Sequence, residues 1–96
     1  MNTIIRDMSI LKSINPVEVA NYLQTKGWQK QRQIDNISSI WKLTVTPGEE
    51  VEEVEIFLPL NPEFHDFAAR MSDVLQTLQI VENRSQLEII NNFKNP

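Results

Sequence analysis

Two alternating segments joined by a turn leave this chain few ways to fold. Residues 37–46 and 51–58 both alternate apolar and polar side chains, and Pro47-Gly48 between them is strong turn chemistry. With residues 47–50 as the loop, Thr46 pairs with Val51. Leu43 then opposes Val54, Trp41 opposes Ile56 and Ser39 opposes Leu58 on one face. On the other face Lys42 meets Glu55, Thr44 meets Glu53 and Ile40 meets Phe57. A slip of one residue sets Leu43 against Glu53 and mixes the faces, so this register is strongly preferred. A hairpin with one apolar face needs a cover, and the rest of the chain has to supply it.

The flanking segments read as that cover. Asn15-Pro16-Val17-Glu18 has a capping residue, a proline suited to the first helical position, and a glutamate where a capping box needs one. Val19, Ala20 and Leu23 follow on one face, and Gly27 can take the left-handed conformation that ends a helix, predicting a helix over 16–26. Beyond Gly27 the period drops to two: residues 28–34 are polar and strand-like, and Asp35-Asn36 is a turn. After the hairpin, Pro59 breaks the strand, Asn61 can cap and Pro62 suits a first turn. Phe64, Phe67, Ala68, Met71, Leu75, Leu78 and Val81 then form a continuous apolar stripe, predicting a helix over 62–81. Asn83 and Arg84 interrupt it, and Ser85-Gln86-Leu87-Glu88 is a capping box opening a last helix with Leu87, Ile90 and Phe93 facing inward. Upstream, Ile4, Met8 and Leu11 suit either an amphipathic helix or an extended arm over residues 1–14. The expectation is an α+β domain: a three-stranded antiparallel meander covered on one face by helices, in the order (α)-α-β-β-β-α-α.

A chain of 96 residues is one domain, 1–96, with a modest core that leaves little to line a deep substrate pocket. It has no cysteine, which removes disulfides, thiolate metal sites and cysteine nucleophiles and fits a reducing compartment. Charged residues interrupt the N-terminal apolar run too early for a signal peptide, and no stretch has the length of a membrane span; a soluble cytoplasmic protein is the expectation. Lys26, Lys30, Arg32 and Lys42 make only a thin basic stripe, which argues against nucleic acid as partner. With Gly27 and Gly48 the only glycines, there is no phosphate-cradling loop, and no serine sits in a nucleophile elbow. The single histidine, His65, is offset from the Phe64–Phe67–Met71 stripe and should face solvent without the partners that catalysis or metal binding needs. No catalytic residue, cofactor or metal ligand is assigned, and a non-enzymatic protein is expected.

Three groups of residues remain as candidates for contact with a partner. Glu49, Glu50, Glu52, Glu53 and Glu55 fall within seven positions and outweigh the whole net charge of −4. They lack the alternating small ligands and tight glycine turn of a calcium loop. They read either as the solvated side of a hairpin that resists edge aggregation, or as a contact for a basic partner through Glu50, Glu52 and Glu53. Arg70, Glu82 and Arg84 read either as a polar recognition patch, with Asp66 and Arg70 able to pair four residues apart, or as a helix joint whose arginine bonds helix-end carbonyls. Trp28 and Trp41 read as core residues rather than as a stacking platform for a ligand.

Several segments carry a resemblance. Pro16-Val17-Glu18-Val19-Ala20-Asn21-Tyr22-Leu23 closed by Gly27-Trp28, then Trp41, Glu55-Ile56-Phe57-Leu58-Pro59-Leu60, Asp66-Phe67-Ala68-Ala69-Arg70 and Glu82-Asn83-Arg84-Ser85 follow one another in order. Together they resemble a small bacterial domain of no assigned reaction, often the N-terminal part of longer proteins. That resemblance implies a docking or regulatory role. The sequence therefore points to a protein-interaction module whose partner is another protein or a second copy, as a homodimer formed through a sheet edge or face. The competing expectation is an acidic inhibitor or antitoxin-like protein whose hairpin occupies a basic groove of a nuclease or nucleic-acid-binding partner. Steep weakening by salt would mark the second and not the first.

Overall fold

A computed structural model describes residues 5–46 and 48–94. The elements are α1 (Met8–Ser13), α2 (Pro16–Thr25), β1 (Gln29–Ile34), β2 (Ser38–Val45), β3 (Glu52–Pro59), α3 (Phe67–Glu82) and α4 (Gln86–Lys94). The strands form one antiparallel sheet in the order β1-β2-β3, so the fold is α+β with the expected element order. Every hairpin pair expected from Ser39–Leu58 to Thr44–Glu53 is present, and the ladder runs on to Val45 and Glu52. The turn proline, Pro47, lies outside the described residues; Gly48 has φ +70°, a left-handed conformation that suits glycine. One charge contact differs from expectation. Lys42 sits across from Glu55 in the ladder, but its ammonium pairs diagonally with Glu53 at 3.5 Å, within the reach of a long side chain.

Trp41, Leu43, Val54, Ile56 and Leu58 supply the apolar face, and the helices pack there. The stripe of α3 buries Phe67, Ala68, Met71, Val74, Leu75 and Leu78 against it, at roughly 1.5–3 kcal/mol for each large side chain. Helix α1 lies on α3, and α4 fills the space between α2 and α3. The N-terminal segment is thus a short helix capped by Asp7, whose carboxylate accepts from the Ser9 and Ile10 amides. Leu11 and Ile14 anchor it, Met8 stays exposed, and Ile4 falls outside the described residues.

Helix α2 begins as expected, with Asn15 Oδ1 accepting from Val17 N at 2.9 Å and Pro16 leading the first turn. It ends in a pair of crossed bonds, Trp28 N to Leu23 O at 2.9 Å and Gly27 N to Gln24 O at 3.2 Å, with Gly27 at φ +94°. This is the Schellman arrangement, and it delivers Trp28 into the core directly before β1 starts.

Two expectations about the helical half are corrected. The long helix begins at Phe67, not at Pro62. Asn61 Oδ1 accepts from Glu63 N, and two successive four-residue turns, closed by Phe64 N to Asn61 O and Phe67 N to Phe64 O, carry the chain round the sheet edge first. Phe64 therefore leaves the stripe and is 41% exposed. In α4 Phe93 is buried and Ile90 packs partly buried against the core as expected, but Leu87 is 60% exposed, and Gln86 and Ile89 are the other buried residues. The helix is rotated from the expected face because Gln86 satisfies its amide inside: Nε2 donates to Gln79 Oε1 at 2.8 Å, and Oε1 accepts from Ile5 N at 2.9 Å.

Candidate functional site

The helices cover one face of the sheet and leave the other open. On that open face the ladder sets Arg32 beside Ile40 and Ile40 beside Phe57, with Lys42 and Glu55 in the next row. Ile40 is buried between its neighbours, but Phe57 is 55% exposed. Ile37 from the β1–β2 turn and Phe64 from the turns before α3 add exposed apolar surface next to it. Between them lies a cleft of about 350 Å³ lined by Ile37, Phe57, Pro59, Phe64, Asp66 and Arg70. A second cleft of about 200 Å³ on the other side of Phe57 is also walled by Arg70, with Asp73 and Thr77 of α3. Apolar surface gathered in this way, with a charged rim, is what a docking face presents. The Arg70 guanidinium is held by Asp66 at 3.5 Å along the helix, and both remain exposed.

Glu82 and Arg84 are brought together elsewhere, at the joint between α3 and α4. Asn83 turns the chain there in a left-handed conformation (φ 52°, ψ 48°). Tyr22 Oη from α2 donates to Glu82 Oε1 at 2.6 Å and accepts from Arg84 Nη1 at 3.3 Å. Arg84 also donates to Glu82 Oε1 at 3.1 Å and to Asn92 Oδ1 at 2.7 Å, and its Nε lies 3.6 Å from Glu88 Oε2. The Tyr22 ring meets Phe93 edge-on at 5.1 Å. Burial, reinforced by the hydrogen bond and charge of Glu82, pushes the Tyr22 hydroxyl well above the ordinary tyrosine range. Burial works against the Arg84 charge, but the facing Tyr22 and Glu82 oxygens outweigh it and raise its pKa. Glu82 Oε2 is buried with no hydrogen-bond partner. This cluster ties three helices through side-chain acceptors, not through the helix-end carbonyls expected for Arg84.

Arg70 takes no part in that cluster. It lies in the first turn of α3, whose 16 residues place some 20 Å of helix between it and the joint. The three-residue patch thus separates into a helix staple (Glu82, Arg84) and a residue of the clefts between β3 and α3 beside Phe57 (Arg70). Glu50, Glu52 and Glu53 are exposed at the hairpin tip and along β3, and Lys42 is the cation that pairs with this run. Trp28 and Trp41 are buried, and Trp41 Nε1 donates to the buried Ser39 Oγ at 2.9 Å. His65 is exposed, and among the described residues no three His, Asp or Glu side chains gather to hold a metal. No described helix is long and apolar enough to cross a membrane.

Phe57 was legible as an outward residue from the hairpin register. Its partners were not: Ile37 sits in a turn, and Phe64 reads as a core residue until the turns before α3 are seen. Compared with known proteins, the chain matches no family model, no curated protein and no solved structure.

Proposed function

We propose that this protein is a non-enzymatic interaction module that docks another protein on the open face of its sheet. The observation that carries the reading is Phe57, an aromatic side chain 55% exposed on a strand, flanked by two clefts and joined by Ile37 and Phe64. Aromatic anchors in such settings dominate binding energy where they are buried by a partner. The segments resembling a bacterial domain that recurs within longer proteins lend support of the same kind.

Self-association is one form of this docking, and the charges bear on its geometry. Pairing two β1 edges about a twofold axis sets Lys30 and Arg32 against their own copies, and pairing two β3 edges does the same with Glu52, Glu53 and Glu55. The face is free of that penalty. Its flat projection, three strands of six to eight residues, is only about 400 Å², small beside the roughly 800 Å² of accessible surface that each partner buries in a stable complex. A homodimer through the face alone is therefore weak, and a tight partner has to reach into the clefts beside Phe57. Photo-crosslinking from position 57 tests this: a photoreactive phenylalanine there should capture one discrete protein in cells, and the same probe at the exposed Gln76 of α3 should not. Equal capture from both positions would end the proposal.

The exposed glutamates keep a second reading in play, an acidic inhibitor entering a basic groove by its hairpin. Replacing Glu50, Glu52 and Glu53 with glutamine should abolish binding under that reading and leave it intact under docking at Phe57.

A further inference from the structure

The sheet is electrically polarised from edge to edge. β3 carries Glu52, Glu53 and Glu55, all exposed. β1, at the other edge, carries Lys30 and Arg32, with Lys26 just before it at the end of α2. Among the described residues no carboxylate lies within ion-pair distance of these three cations. Lys30 instead donates to the neutral Gln33 amide at 2.6 Å, and Lys26 lies 5.5 Å from the centre of the Tyr22 ring.

Every residue of β1 is exposed, and none is a proline that would block a ladder. Its register shifts between Lys30 and Arg32, so Gln31 is an extra, bulged residue. In a regular strand residues 30 and 32 share a face. Here Lys30 pairs with Trp41 on the helix side and Arg32 pairs with Ile40 on the open side. The bulge thereby straddles the edge with one cation above and one below. It also breaks the flat ladder that indiscriminate pairing requires.

Alongside this edge runs a groove of about 530 Å³ between α2 and the sheet. Pro16, Val17 and Ala20 form its helix wall, Trp41 and Leu60 its floor, and Lys30 its outer rim. Val17 is 66% exposed on that wall, so apolar surface faces open space there. A strand laid on β1 projects alternate side chains to the helix side, towards this groove, and the others to the Arg32 side.

We infer that β1 receives an extended acidic segment of a partner protein as a fourth strand, with an apolar side chain of that segment filling the groove between α2 and the sheet. Main-chain bonds to the free edge supply affinity, the groove selects the apolar position, and the straddling cations select carboxylates on both faces. This surface lies at the β1 edge and meets the Phe57 face only at Arg32, which Ile40 separates from Phe57, so either can fail without the other.

The test is an amide-resolved NMR titration of the intact protein with three octapeptides of the repeat Val-X-X, X being glutamate, serine or lysine, so that both faces of the added strand carry X. The glutamate peptide should bind saturably, with shifts confined to residues 29–34, Val17, Ala20 and the Trp41 indole. Replacing Lys30→Glu and Arg32→Glu together, both exposed and so without cost to the fold, should weaken it by at least about tenfold. The lysine peptide should not bind, and Phe57→Thr should leave the titration unchanged. Equal binding of the serine and glutamate peptides would overturn the charge selection. Shifts outside the β1 edge, or none up to millimolar peptide, would overturn the site itself. Concentration-dependent shifts on β1 and β3 in the free protein would show that the acidic strand comes from a second copy and overturn the assignment to a partner.

Discussion

At the α3–α4 joint one phenolic oxygen donates to a carboxylate and accepts from a guanidinium, and these bonds account for much of how three helices are held in register. Tyr22→Phe removes both and leaves the ring contact with Phe93 in place. Urea unfolding should show a loss of about 1–2 kcal/mol. Arg84→Met should cost more, about 3 kcal/mol, because it leaves the Glu82 carboxylate in a largely buried site with Tyr22 as its one described hydrogen-bond partner. The pH dependence has a definite sign. The folded state holds the Tyr22 proton more tightly than the unfolded chain, whose hydroxyl titrates near 10.0. That contribution to stability is complete below pH 10 and is lost as pH rises above it. The urea midpoint should therefore fall more steeply between pH 9 and 11 for the native protein than for Tyr22→Phe; parallel slopes would show that Tyr22 is not the group responsible. None of this was readable from residue spacing, since Tyr22 and Arg84 are 62 positions apart.

The elements divide according to how much of their logic is local. The β2–β3 register follows from alternation and charge within 22 residues, and the closing turn of α2 follows from one glycine, Gly27, at φ +94°. Gly27→Ala should lower stability by about 1–2 kcal/mol in chemical denaturation. A built Cβ meets only Leu43 Cδ1 at 3.9 Å, an ordinary contact, so the cost is conformational and not steric. The α3 start differs from the sequence expectation for a physical reason: Asn61-Pro62 suits a helix cap and a side-chain-closed turn equally, and the need to round the sheet edge selects the turn. In α4 apolar residues at 87, 89, 90 and 93 offer two faces. Gln86, bonded to Ile5 from the far end of the chain, decides between them. Gln86→Ala should accordingly release the segment around Ile5, read as faster amide exchange at residue 5 with little change in the sheet.

For the molecule as a whole, sequence pattern reached the layer architecture and the inward and outward faces, because both depend on period alone. It did not reach the docking surfaces, because those are made where turns, strand edges and a helix end meet. Arg70 was singled out with Glu82 and Arg84, yet the fold places it beside Phe57. Lys30 and Arg32 read as a thin basic stripe until the bulge sets them on opposite faces of an edge. Their companions are apolar side chains left uncovered by a small core, whose helices suffice for one side of the sheet. The central claim is that the open face around Phe57 is a protein-binding surface. Its most direct test is a tagged pull-down from the native host, run in parallel with the native chain and Phe57→Thr, at physiological and at high salt. The account predicts a discrete protein, another chain or an untagged copy, that the native bait retains through the high-salt wash and the variant loses, with circular dichroism unchanged. Equal recovery by both baits, or a partner released by salt alone, would contradict it.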